Sequence, residues 1–132
     1  MDSALVYHFV WSPMRSKPCL RGEAAERLRQ LMYEKAKELE VDLADVRIFS
    51  DRVYVAVAAP PTLSPHHIVC QLKAHSSHCL RREFEEMTKV PTLWTRAYLV
   101  EAGDHLTAEQ VLSAFQAALP PRRPPGRPRK EF

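Results

Sequence analysis

The sequence contains no apolar run approaching the roughly 18 residues that a membrane span requires. Nor does a basic segment followed by a long apolar stretch stand near Met1, which argues against a secretory signal. Cysteine is scarce. Cys19, Cys70 and Cys79 are odd in number and share no tight motif, so a disulfide framework is not expected and a reducing, cytoplasmic setting is. No internal repeat is visible. What is present is ordinary for a globular protein: 132 residues, 45% hydrophobic and 27% charged. That length suits one domain able to bury its own core without disulfides or metals.

The net charge of +3 is unevenly placed. Residues 120–132 carry Arg122, Arg123, Arg127, Arg129 and Lys130 against Glu131, a balance of +4. Residues 1–119 hold 14 cations against 15 anions, a balance of −1. The tail also holds five of the eleven prolines and a single aromatic, Phe132. It cannot bury enough apolar surface to offset its ordering entropy, so the expectation is a folded domain over 1–119 and a disordered basic tail over 120–132.

Leu5–Trp11 is rich in β-branched and aromatic residues and stops at Ser12-Pro13, the pattern of a strand. Between Glu23 and Glu40 the apolar positions Ala24, Ala25, Leu28, Leu31, Met32, Ala36 and Leu39 give one helical stripe. Val46–Phe49 and Arg52–Ala58 read as a hairpin around Ser50-Asp51, with Val53, Val55 and Val57 on one face and Arg52, Tyr54 and Ala56 on the other. Ser64-Pro65 starts a second helix reaching about Phe84. Leu93–Val100 reads as a strand. Thr107 and Gln110 form a capping box for a last helix that ends at Pro120. The order β-α-β-β-α-β plus a C-terminal helix predicts an α+β, ferredoxin-like split βαβ fold: a four-stranded antiparallel sheet with the first two helices on one face.

Four segments, in order over residues 5–119, carry a resemblance. They are Tyr7-His8-Phe9-Val10-Trp11-Ser12-Pro13, Ser50-Asp51-Arg52-Val53-Tyr54-Val55-Ala56-Val57, Leu72-Lys73-Ala74-His75-Ser76-Ser77 and Leu93-Trp94-Thr95-Arg96-Ala97-Tyr98-Leu99-Val100. Together they resemble the single-tyrosine HUH transposases of small insertion sequences, including REP-associated tyrosine transposases. The resemblance implies DNA cleavage by a tyrosine on the last helix. A magnesium or manganese ion held by a strand His pair, and by a further ligand on that helix, assists the attack. It also implies a homodimer that binds hairpin or single-stranded DNA.

Every chemical position of that family is altered here. Arg52 and Tyr54 stand in place of the His pair, Phe115 in place of the tyrosine and Leu119 in place of the third ligand. Phenylalanine has no hydroxyl to attack phosphorus, a guanidinium repels a cation, and leucine cannot coordinate a hard ion. The expectation is therefore a DNA-binding, nucleoid-associated relative with no catalytic residue, no metal cofactor, no small-molecule substrate and no membrane. Arg52, Lys73, Ser76, Ser77 and Arg81 are the candidates for phosphate contact, because lysine, arginine and hydroxyls are the types that grip phosphate oxygens. Arg52 is further read as a phosphate clamp in place of the metal.

The tail adds Arg127, Arg129 and Lys130, around a Gly126-Arg127-Pro128 core that resembles part of an AT-hook. The alternative for the tail is a flexible solubilising segment. His75, His78 and Cys79, at i, i+3 and i+4 on a helix, could face one metal, and His66, His67 and Cys70 form a second such group. The alternative is solvent-facing histidines, which on this helix can approach phosphates, and cysteines acting as small hydrophobes. Two rival functions stay open. One is an active transposase with a rearranged site cutting single strands through Tyr54 or Tyr98. The other is a dimeric interaction module that ignores DNA.

Overall fold

A computed structural model describes residues 5–89, 92–103 and 106–118. Strand β1 (Leu5–Trp11) leads through a 3-10 turn at Met14–Ser16 to helix α1 (Gly22–Leu39). Strands β2 (Asp42–Phe49) and β3 (Arg52–Ala59) precede helix α2 (Pro65–Glu83), strand β4 (Leu99–Ala102) and helix α3 (Ala108–Ala118). The sheet runs β2-β3-β1-β4. All neighbours are antiparallel, with Trp11 opposite Val53, Val10 opposite Leu99 and Phe49 opposite Arg52. This is the α+β split βαβ arrangement expected from the element order.

Period-2 alternation decides which helix covers which face. Phe9 and Trp11 of β1, with Val53, Val55 and Val57 of β3, point into the main core. There α1 contributes Leu28, Leu31 and Met32, and α2 contributes Ile68, Leu72 and Leu80. The two helices are tied by a two-pronged Arg27–Glu83 contact at 2.8 and 3.1 Å. The opposite registers, Val10, Tyr54 and Ala56, meet Ala108, Val111 and Phe115 of α3 in a second cluster. The caps agree with the sequence. Ser64 Oγ accepts from the His67 amide at 3.0 Å. Thr107 and Gln110 exchange hydrogen bonds at 2.9 and 3.1 Å. The C-terminus of α1 closes through Glu40, a left-handed residue (φ 63°) whose amide returns to the Ala36 and Lys37 carbonyls.

Two elements differ from the sequence expectation. The strand expected over Leu93–Val100 is Leu99–Ala102. Leu93 and Trp94 are instead buried core residues, Trp94 forming a single bridge to Pro13 and stacking edge-on against Trp11 at 5.9 Å. Strand β2 starts four residues early, at Asp42. A register shift between Leu43 and Asp45 breaks its alternation and hides it from a period-2 reading. Leu119 and the tail 120–132, with Arg127, Arg129 and Lys130, lie outside the described residues.

Candidate nucleic-acid interface

The face beneath α3 is where the resemblance places chemistry. Tyr54 is buried there (2% exposed), and its hydroxyl lies 2.8 Å from His8 Nδ1. His8 Nε2 lies 2.7 Å from the Gly103 carbonyl. A carbonyl only accepts, so Nε2 carries a proton; in that tautomer Nδ1 accepts and Tyr54 donates. Burial, with a smaller push from Asp45, raises the Tyr54 pKa and opposes a phenolate.

Arg52 does not occupy this cleft. It opens β3 at the hairpin tip, with its Nε 3.3 Å from Asp51 Oδ1 and its guanidinium 5.8 Å from the centre of the Phe49 ring. The clamp read from sequence is therefore misplaced: a residue beside a two-residue turn reaches the turn, not the sheet centre. The guanidinium that lines the cleft is Arg47, opposite Tyr54 on β2. It contacts Asp45 at 3.1 Å and Glu109 of α3 at 3.0 Å. Those contacts, Glu109 first, raise the Arg47 pKa. The Glu109 carboxyl is held low by its own backbone amide and by Arg47. His8, Asp45, Arg47, Tyr54, Thr107 and Glu109 thus frame a mixed-charge cleft of about 480 Å³.

Phe115 is 8% exposed and packed on Tyr54, Val10 and Val111. Whatever register is assigned, α3 contains no tyrosine between Ala108 and Ala118. Tyr98, the other tyrosine considered, sits at the rim of α2 on the opposite side of the sheet, packed on the main core.

Helix α2 divides the remaining candidates. Lys73 is committed: its ammonium donates to the carbonyls of Thr95 (2.7 Å) and Arg96 (3.3 Å), and burial lowers its pKa. Ser76 has no exposed surface. It donates to the Leu72 carbonyl at 2.7 Å and accepts from Trp94 Nε1 at 3.1 Å, so it locks α2 to the core and is out of reach of a phosphate. Ser77 and Arg81 are half-buried. The metal candidates diverge. His75 Nε2 lies 3.5 Å from Glu34 of α1, Cys79 packs against the core and His78 is exposed. Among the described residues no three His, Cys, Asp or Glu side chains gather as a metal site.

His8, which lies within the Tyr7–Pro13 motif, joins the candidate residues through its contacts in the structure, as do Arg47 and one loop. Residues 12–21 contain Arg15, Lys17 and Arg21 with no acid among them. All three are exposed, and none enters an ion pair between described residues. Arg15 adopts a left-handed backbone (φ 60°, ψ 24°), unusual for a residue with a side chain. The acid-free run was visible in the sequence and is the signal that could have found it.

A family model described as "Transposase IS200 like" matches residues 2–114. A protein of Deinococcus radiodurans R1 assigned as a transposase superposes with a TM-score of 0.79 at 22% identity, over 89% of this chain and 92% of that one. A REP-associated tyrosine transposase bound to a REP hairpin superposes with a TM-score of 0.61 at 8% identity, over 86% of this chain and 68% of that one. At these identities both share the fold. No curated protein sequence matches the chain significantly.

Proposed function

The chain belongs to the IS200-like transposases, and from that premise we propose that it binds DNA, hairpin or single-stranded, without cutting it by the family's tyrosine route. The observation that carries this reading is α3: no tyrosine lies on it, and Phe115 is spent on packing against the sheet. The cleft supports it too. Both His8 ring nitrogens are engaged, Tyr54 is hydrogen-bonded and buried, and the Asp45 and Glu109 carboxylates sit against Arg47. These residues do not fit a magnesium or manganese ion, because a cation already occupies the carboxylates and no imidazole lone pair is free.

For contact with DNA, the reading keeps Arg52, Ser77, Arg81 and the tail cations Arg127, Arg129 and Lys130. It releases Lys73 and Ser76 to structural roles and adds Arg15, Lys17 and Arg21. A homodimer associated with the nucleoid completes it, on the strength of the family.

Hairpin DNA tests the reading. The full chain should retard a hairpin oligonucleotide at low salt and leave no protein–DNA adduct on a denaturing gel with magnesium or manganese. Deleting residues 120–132 removes five cations and should flatten the log–log salt slope by up to about 4–5. Absence of any shift would end the DNA reading in favour of a protein-interaction module. An adduct mapped to Tyr54 or Tyr98 would end the claim of inactivity.

A further inference from the structure

Phe49 stands outside both apolar clusters. Of the described phenylalanines it alone is exposed, at 41%, and neither the main core nor the α3 cluster includes it. Its place follows from the register. Phe49 pairs with Arg52, and Arg47 with Tyr54, so all four side chains leave the sheet on the face where α3 packs. Among the described residues, α3 reaches Val10, Tyr54 and Ala56 and stops short of the hairpin tip. The ring at the tip therefore stays in water, against the gain that burial of a phenyl group normally brings.

Cations flank that ring. The Arg52 guanidinium lies over it, 5.8 Å from its centre. The Leu20 amide donates to the Ser50 carbonyl at 3.1 Å, which ties the acid-free loop to the same tip. Arg21 follows directly, and Arg15, Lys17 and Arg21 are exposed with no ion pair between described residues. Asp51, the acid at the tip, is engaged by Arg52 at 3.3 Å. An exposed aromatic ring set among cations suits an unpaired nucleotide: the base stacks on the ring and the phosphates lie along the cations. We propose that Phe49 is a stacking platform for an unpaired DNA base, with Arg52 supporting the ring and Arg15, Lys17 and Arg21 holding the adjacent phosphates. The inference rests on the DNA-binding reading above and narrows it to the loop or single-stranded flank of a hairpin, because the bases of a stem are already stacked. A second copy of the chain fits the patch poorly, since a two-fold contact would set these cations against their own kind.

The test uses the full-length protein and two oligonucleotides with equal numbers of phosphates: a hairpin with a single-stranded flank, and a fully paired duplex. The wild-type protein should prefer the first. Phe49→Leu keeps an apolar side chain and loses the aromatic face. It should weaken binding to the flanked hairpin by about tenfold and leave duplex binding unchanged. Its log–log salt slope should also be unchanged, because no charge is lost. Phe49→Trp should retain binding. Its added indole should lose fluorescence on binding the flanked hairpin, beyond any change in the wild-type protein, whose Trp11 and Trp94 are buried. Urea unfolding checks that each variant folds. Equal affinity of the wild-type protein and Phe49→Leu for the flanked hairpin overturns the inference and leaves the DNA reading standing. A changed oligomeric state in Phe49→Leu with unaltered DNA binding overturns it in favour of a contact between copies. A wild-type protein that shifts neither oligonucleotide ends the DNA reading, and the inference with it.

Discussion

The Tyr54 hydroxyl donates to His8 Nδ1 across 2.8 Å, joining β3 to β1 beneath α3. A buried imidazole is tolerated because both its nitrogens are satisfied. Arg47, which lines the cleft opposite Tyr54, joins it to α3 through Glu109. Tyr54→Phe should therefore act on stability: an unpaired, buried Nδ1 costs about 1–3 kcal/mol. The urea midpoint should fall with an unchanged slope, because the surface exposed on unfolding is the same.

A phenol introduced at residue 115, which the resemblance aligns with the family's tyrosine, should not by itself produce cleavage. In Phe115→Tyr the ring keeps its place among Val10, Tyr54, Ala56 and Val111, and the new hydroxyl must enter an apolar cluster. Burying an unpaired hydroxyl costs about 1–3 kcal/mol. The expected outcome is a lower melting temperature and, with hairpin DNA and manganese, no covalent adduct on a denaturing gel.

Adjacent serines on α2 should separate stability from binding. Ser76→Ala deprives the buried Trp94 indole of its acceptor and should cost about 1–3 kcal/mol in urea unfolding. Its affinity for hairpin DNA, measured on the folded protein, should be unchanged. Ser77→Ala should alter stability by no more than about 0.5 kcal/mol and should weaken the DNA shift.

Most of the framework was legible because its signals are local. The alternation of Val53, Val55 and Val57 with Tyr54 and Ala56 is fixed by strand geometry, and the caps at Ser64 and Thr107 need only nearby amides. The failures are non-local. Leu93 and Trp94 read as strand because they are apolar, but their burial comes from Pro13, Trp11 and Ser76, far away in sequence. Ser76 looked like a phosphate ligand because its burial is decided by the same indole. Arg52, read as a clamp, turns back onto Asp51 and Phe49 beside the turn, and Arg47 lines the cleft through a contact with Glu109 that lies 62 positions away. The His8–Tyr54 contact spans 46 positions, and no spacing rule reports such a pair.

Acid should loosen the contact between α1 and α2 at Glu83. Arg27, chiefly by hydrogen bonding, holds the Glu83 carboxyl below its ordinary value of 4.5. A depressed carboxyl adds stability above its unfolded pKa, and that stability is lost as pH falls through the lower folded value. Stability measured by urea unfolding should decline below about pH 4.5, and Glu83→Gln should make that decline shallower while lowering stability slightly at neutral pH. An identical pH profile in the variant would show that Arg27 gives this carboxylate no net preference for the folded state. The effect should be small, since Glu83 is solvent-exposed, Arg27 is only half-buried and water screens the pair.

Arg15 offers the sharpest separation of folding from binding. Its left-handed backbone costs an ordinary residue about 1–2 kcal/mol, whereas glycine adopts it freely. Arg15→Gly relieves that strain but gives the unfolded chain more freedom, worth about 0.5–1 kcal/mol in the opposite sense. The two nearly offset, so urea unfolding should show equal or slightly greater stability. Loss of a cation from the acid-free loop should still weaken hairpin binding, and the log–log salt slope should flatten by about 1 if Arg15 contacts one phosphate. Lys17→Ala and Arg21→Ala should each flatten it similarly without a strain term. Unchanged slopes in all three variants would remove the loop from the interface and leave Arg52, Ser77, Arg81 and the tail to account for it.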